Sequence, residues 1–273
     1  MKTLKVHMAE SEENLANSAG GVQSVQRALH LLSLVARCGP PGARLQELVE
    51  QSALSKPTAH RLLRQLIESG LLMQGGHRLY QLGAGAFELG VAASRSFPLR
   101  DIASPVMDEI AERMGDSAFL VVRSDTDGLC VERKLGSYPV KVQTVEPGHR
   151  QPLGVGASGL AILSFLPRED QEACLRKIAP SLKGGAYGDL DVNLLRKLIA
   201  ETRVRGWAVM SHFAFPGVTG VSVPVYDNQR RAFGSLTVGA ISLRMTEQKI
   251  QECATLLLAK ARVLETLLAR KSE

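Results

Sequence analysis

Lys56, Thr58, His60, Arg61 and Arg64 sit close together in the chain, interleaved with Leu62, Leu63, Leu66 and Ile67. If the four apolar residues mark the buried stripe of a helix, the five polar ones take the opposite face. A row of donors on a helix suits hydrogen bonding to phosphates and to base edges in the major groove of DNA. A second candidate is Gly154, Gly156 and Gly159, which match the G-x-G-x-x-G spacing that lets a pyrophosphate approach a helix N-terminus. No buried strand precedes it and no alternation of strands and helices surrounds it, so a small pocket lined by backbone amides is the better expectation. A tight turn that needs glycine for packing is the other. Ser158, within that run, invites comparison with a nucleophile elbow, but Leu160 stands where the last glycine of G-x-S-x-G would be. No catalytic residue is expected, and the chain does not read as an enzyme.

The donor row needs a scaffold, and the flanking residues provide one. Leu45, Leu48 and Val49 repeat at helical spacing ahead of a break at 52–55. Ser55 is placed to cap the second helix, and Pro57 falls in its first turn, where a missing N–H costs little. The spacing predicts a helix-turn-helix, with Arg44 at the start of its first helix. Gly70 stops the second helix, and 71–74 and 78–82 read as two short strands joined at Gly75 and Gly76, a wing whose His77, Arg78 and Tyr80 are expected, with Arg44, to touch DNA. Upstream, 22–37 is an amphipathic helix with Val25, Leu29, Leu32 and Val35 or Ala36 as its core stripe. Between Gly21 and Leu82 seven Lys or Arg face three Asp or Glu, an excess of four positive charges.

Composition permits this reading and excludes others. The chain of 273 residues is long enough for two cores, and 45% hydrophobic with 22% charged residues fits a soluble globular protein. No apolar run reaches the roughly 18 residues of a membrane span. The net charge of +6 favours a polyanionic partner. Residues 1–20 lack an apolar signal core and read as a disordered tail. Cys38, Cys130, Cys174 and Cys253 are far apart and are expected as buried packing residues in a reducing cytoplasm. The six histidines show no pair at ligand spacing, so neither metal nor cofactor is expected.

The stretch LQELVEQSALSKPTAHRLLRQLIESGLL, followed by RLYQLGAGAFELG, resembles the winged helix-turn-helix of the isocitrate lyase regulator (IclR) family. PLGVGASGLAILSFLP, the RGWAV turn and GVTGVSVPVYD resemble, in the same order, that family's effector-binding domain, so the likeness runs from Gly21 to the C-terminus. It implies an α+β two-domain fold: a winged helix-turn-helix over 21–84, a linker helix over 85–97, and a GAF-like effector-binding and oligomerisation domain over 98–273. Independently, strands are expected at 117–123, 129–134, 140–145, 207–213, 220–226 and 232–240, with helices at 99–114, 157–165, 168–179, 192–205 and from Thr246 to Lys271. The resemblance also implies pairing of the DNA-binding heads through the first helix, and an effector pocket beside Gly156, Ala157 and Ser158.

The chain departs from the family pattern within that pocket. Met210 and His212 fall in the run that usually carries acidic residues, Gly220 replaces a cysteine, Thr237 and Gly239 replace two serines, and Leu160 replaces a lysine. The expectation is a roomier, less acidic site, suited to a bulkier or less polar effector, an aromatic compound being one candidate. Phe119, Phe215, Ser222 and Thr237 complete the candidate lining with Met210, His212 and Gly220, and Phe213 is a further aromatic candidate. The expected function is that of a cytoplasmic repressor that binds a two-fold operator on double-stranded DNA as a dimer or tetramer and responds to a small effector. The alternatives are a constitutive DNA-binding protein whose second domain only oligomerises, and an enzyme with a DNA-binding head.

Overall fold

The structure, a computed structural model, describes residues 20–39, 41–182, 187–213 and 215–271. The tail expected over 1–20 lies outside them except for Gly20, which opens the first helix. The chain divides into two compact units that meet at Pro98 and Leu99.

The first unit runs α1 (Gly20–Cys38), α2 (Leu45–Ser52), α3 (Lys56–Glu68), β1 (Leu72–Gln74), β2 (Tyr80–Leu82) and α4 (Ala84–Ser94). Leu48 of α2 and Ala59, Leu62, Leu63 and Leu66 of α3 are buried in one cluster with Leu31, Leu34 and Val35 of α1. The expected core stripe of α1 is therefore corrected in part, since Leu32 and Val35 pack at the core as expected and Val25 and Leu29 do not. Val25 and Leu29 are 60% and 52% exposed, because the helix carries two apolar stripes and the one through Leu31, Leu34 and Val35 packs inward. Between α2 and α3, Ala53 turns the chain with φ of 53°, a left-handed conformation that glycine adopts without strain. Ala53→Gly is expected to stabilise this unit by about 1 kcal/mol, read as a higher denaturant midpoint at an unchanged slope. An unchanged or lower midpoint would contradict that geometry.

β1 and β2 pair antiparallel, with Leu72 opposite Leu82 and Gln74 opposite Tyr80. The turn departs from expectation. Positive φ falls on His77 (57°) and Arg78 (60°), not on Gly75 or Gly76. A Cβ on Gly75 would meet only the far end of the Gln81 side chain, at 2.9 Å from its Oε1, which can swing aside.

The second unit is a six-stranded antiparallel sheet in the order β5-β4-β3-β8-β7-β6, with helices on both faces. Its elements are α5 (Leu99–Met114), β3 (Ser117–Ser124), β4 (Asp127–Lys134), β5 (Arg150–Pro152), α6 (Gly156–Ser164), α7 (Arg168–Leu182), α8 (Val192–Arg205), β6 (Ala208–Ser211), β7 (Val218–Tyr226), β8 (Ala232–Ile241) and α9 (Glu247–Arg270). Strand alternation divides the core in two. Leu120, Val221, Val223 and Leu236 pack with Met107 and Ile110 of α5 and Leu257 of α9. Phe119, Val121 and Met210 pack with Leu160 and Leu163 of α6 and Leu195 of α8. Together the units form an α+β two-domain fold.

Two strand expectations fail. Residues 140–145 are irregular, and the strand in this region is the short β5. The strand expected at 207–213 covers only Ala208–Ser211, because His212 enters the left-handed region with φ of 69° and cannot continue an extended ladder. Cys130, Cys174 and Cys253 are buried, and burial pushes their thiols up to about 12, about 11 and about 11, leaving them protonated near neutral pH. Cys38 is exposed, against expectation. Among the described residues no helix is long and apolar enough to cross a membrane.

Candidate DNA interface and ligand cavity

The helix-turn-helix presents α3 through local chemistry at its start. Ser55 is the N-cap: the Thr58 N–H donates to its Oγ at 3.4 Å, and the two hydroxyls lie 2.8 Å apart. Thr58, expected in the donor row, is thus half-buried and engaged in the cap. Lys56, His60, Arg61 and Arg64 are exposed, opposite the buried Leu62, Leu63 and Leu66. Arg64 Nε donates to Glu68 Oε1 at 3.0 Å, one turn on, and both side chains are more than half exposed. Arg44 is exposed at the N-cap of α2, where its backbone N–H donates to Glu47 Oε2 at 2.8 Å.

His77 and Arg78 are exposed at the wing tip. Tyr80 is not a contact residue of this face. It is 4% exposed, packs in the core, and exchanges backbone hydrogen bonds with Ala43 at 3.0 and 2.9 Å. Burial raises its phenol above the ordinary range, and its backbone ties the wing to the α1–α2 connection.

In the second unit a cavity of about 60 Å³ lies between the sheet and the first turn of α6. The sheet contributes Phe119 from β3, Met210 and Ser211 from β6, Val218 and Gly220 from β7, and Thr237 and Gly239 from β8. Gly156, Ala157 and Ser158 close one end. No side chain caps α6 at Val155, so its first N–H groups are open to a ligand. His212, Phe213 and Phe215 line it from the β6–β7 connection, and Val142, Thr144 and Val145 from the irregular segment 135–149.

That segment is tied down at several points. Arg244 forms a two-pronged pair with the buried Asp116 carboxylate at 3.0 and 3.0 Å and lies 3.6 Å from the centre of the Tyr138 ring. The Tyr138 N–H donates to Gly115 O at 2.8 Å, and Arg133 Nη1 to Val145 O at 3.1 Å.

The structure brings nine of the ten expected effector residues to this cavity and leaves out Ser222. Ser222 is fully buried on β7, with its Oγ 2.8 Å from Thr237 Oγ1 and 3.2 Å from Leu236 O. Val142, Thr144, Val145, Gln151, Ser211 and Val218 line the cavity without having been singled out as candidates. For those of 135–149 no local pattern exists, because the segment is placed by pairings distant in sequence. For β6–β8, strand register carries the signal: Met210 pairs with Gly220, and Gly220 with Gly239.

The expectation that Gly220 adds room is corrected. A Cβ there would lie 3.0 Å from Ala157 Cβ, so α6 already fills the space. Less acidic it is: among the described residues the lining contains no Asp, Glu, Lys or Arg, and His212 is its one ionisable side chain.

The glycine run is explained by packing. Gly154 and Gly156 have φ of 90° and 72°, and a Cβ on Gly159 would lie 2.9 Å from Gly154 N. With an antiparallel sheet around it, the run has no dinucleotide-binding context. Ser158 Oγ lies 2.8 Å from Thr237 Oγ1, a hydroxyl and not a base, which gives no nucleophile activation.

Residues 91–266 match the family described as bacterial transcriptional regulator IclR C-terminal, and residues 24–76 match the IclR helix-turn-helix domain. The chain is 30% identical over 221 residues to the glycerol operon regulatory protein of Streptomyces griseus, covering 81% of this chain and 85% of that one. It is 27% identical over 247 residues to the acetate operon repressor of Salmonella typhimurium, covering 89% of each. The crystal structure of a putative IclR transcriptional regulator from Silicibacter sp. TM1040 superposes with a TM-score of 0.78 at 26% identity, covering 90% of this chain and 96% of that one. Such proteins are DNA-binding transcriptional regulators and not enzymes. With the donor-faced α3 and both halves matched, the chain belongs to the IclR family of bacterial transcriptional regulators.

Proposed function

We propose that this regulator is a ligand-responsive repressor, acting in the cytoplasm on a two-fold operator and released or retained there by a small organic effector. The observation that carries the reading is the mainly apolar, partly open cavity in the second unit of a chain whose first unit leaves the cationic face of α3 exposed. Lys56, Arg61 and Arg64 contact phosphates or bases, with Arg44, Ser55, Thr58 and His60 at backbone or base edges and His77 and Arg78 at the adjacent groove. Two heads are needed to read a two-fold site. Val25 and Leu29 on α1, and Phe87 (73% exposed), Leu89 and Val91 on α4, supply apolar surface for pairing as a dimer or tetramer.

The effector is an acid with an apolar body. Its carboxylate docks on the amides of Gly156 to Ser158, and Phe119, Phe213, Phe215 and Met210 receive the rest. Size sets a condition. A dry cavity of about 150 Å³ holds benzene, so an aromatic acid enters this one only when segment 135–149 yields. A short aliphatic acid fits as it stands, and the cavity volume favours that second reading. Binding must also differ between two arrangements of the heads, since equal affinity for both shifts nothing.

Thermal melts of the full chain against a panel of aromatic and short aliphatic acids test the proposal. A ligand held at one hundred times its Kd is expected to add about 2.7 kcal/mol of stability. Binding confined to short acids would remove the aromatic reading. No shift with any member would favour a constitutive DNA-binding protein whose second unit only oligomerises.

A further inference from the structure

Three hydroxyls run in a row from the cavity into the sheet. Ser158 Oγ on α6 lies 2.8 Å from Thr237 Oγ1 on β8, which lies 2.8 Å from Ser222 Oγ on its register partner in β7. Ser222 Oγ in turn lies 3.2 Å from the Leu236 carbonyl oxygen. Ser158 and Thr237 line the cavity, whereas Ser222 is fully buried behind it.

Hydroxyl hydrogens are placed by the network they complete, and this network has two ways to run. If Ser158 donates to Thr237, Thr237 to Ser222, and Ser222 to Leu236 O, three hydrogens make three bonds. In the reverse sense Ser222 donates to Thr237 and Thr237 to Ser158. The three hydrogens then make two bonds, and the third points into a mainly apolar space. A carbonyl oxygen accepts without being able to donate, so it anchors the first arrangement and not the second.

We infer that the Ser158–Thr237–Ser222 chain, anchored on the Leu236 carbonyl, makes the cavity wall at Ser158 a hydrogen-bond acceptor and so selects effectors that carry a donor, a hydroxyl or an amine, beside their apolar body. This rests on the cavity being a ligand site, as proposed above. A ligand that presents O–H or N–H to Ser158 uses a free lone pair and leaves the chain intact. A ligand that presents only an acceptor, such as a ketone, meets lone pairs, or turns Ser158 and Thr237 around and forfeits one bond of the chain, that between Thr237 and Ser222 or that to Leu236 O. One hydrogen bond separates the two cases, about three- to tenfold in affinity. Ser222 acts as a positioning residue: it touches no ligand and sets the sense of the chain.

Matched probes test the selection. Calorimetry on the full chain would compare lactate with pyruvate, and mandelate with phenylglyoxylate, pairs in which the donor or acceptor is adjacent to the carboxylate. The donor-bearing member of each pair that binds is expected to be favoured about three- to tenfold. In Ser222→Ala, with its melting temperature recorded as a control for folding, that ratio falls toward one although the cavity lining is unchanged. A purely structural role for Ser222 would shift both members equally. Equal affinities within the pairs in the unsubstituted protein, or a ratio untouched by Ser222→Ala, would overturn the inference.

Neutron diffraction of the deuterium-exchanged, ligand-free protein reads the chain without any ligand. Deuterons directed from Ser158 to Thr237, from Thr237 to Ser222 and from Ser222 to Leu236 O support it, and a Ser158 deuteron pointing into the cavity overturns it. Should the map show the supporting arrangement while none of the four probes binds, the polarity of the wall stands and the ligand-responsive reading is what fails.

Discussion

Arg61→Ala is expected to weaken operator binding about tenfold to a hundredfold per head, while ligand binding and thermal stability stay as they were. Arg61 is exposed on α3, on the side away from Leu62, Leu63 and Leu66, so its removal opens no core. A well-made two-pronged contact to a base is worth about 1 to 3 kcal/mol of discrimination, whereas a contact to phosphate adds affinity for any sequence. The two roles separate experimentally. If Arg61 reads a base, the variant loses specific binding and keeps most of its non-specific binding. If it meets phosphate, both fall together and the salt slope drops by about one.

Arg64→Ala is expected to act in the same direction. Its exposed pair with Glu68 does not compete strongly, since such surface pairs contribute about 1 kcal/mol or less. Unchanged footprints for both variants would remove α3 from the interface.

The second large effect is expected at Gly159→Ala. A Cβ there would lie 2.9 Å from Gly154 N and 3.3 Å from Leu153 Cα, backbone atoms that no rotamer change can move aside. α6 would have to lift from the turn that precedes it, at a cost of about 1 to 3 kcal/mol. Gly156, Ala157 and Ser158 sit on the same turn and line the cavity, so ligand binding should fall with stability. DNA binding by the heads in the absence of ligand should not.

Gly90→Ala is the control. Nothing lies within 4 Å of a Cβ at that position inside α4, so the helix is expected to gain stability by up to about 1 kcal/mol. A Gly159→Ala chain that melts and binds ligand like the unsubstituted one would show that the turn is looser than its distances imply.

Much of the architecture is legible in the sequence because it is locally determined. Helices α5 and α8 run over the residues that their apolar spacing marks, and Ser55 caps α3 as residue type and position require. The departures occur where distant parts of the chain decide. α1 carries two apolar stripes, and only its partners in α2 and α3 select the one through Leu31. Tyr80 looks like a wing contact until its pairing with Ala43 places it inside. Residues 140–145 have strand-like composition, but the segment around them is held by Arg244, Arg133 and the backbone of Gly115, none of which a local pattern can announce.

The cavity shows the same division. The glycine and serine run at 154–159 marks one wall from sequence alone, while the step that takes Ser222 behind Thr237 follows from the pairing of β7 with β8. Gly220 illustrates a subtler limit. A small side chain reads as added room, yet the space belongs to whichever neighbour approaches, here Ala157.

Binding of the purified full-length chain to a labelled fragment of its own promoter, titrated across salt concentrations, tests the reading of α3 most directly. The account predicts saturable binding whose log affinity falls linearly with log salt, and a lower line for Arg61→Ala, shallower as well if that residue meets phosphate. Absence of salt-sensitive binding, or identical lines for the two chains, would contradict it.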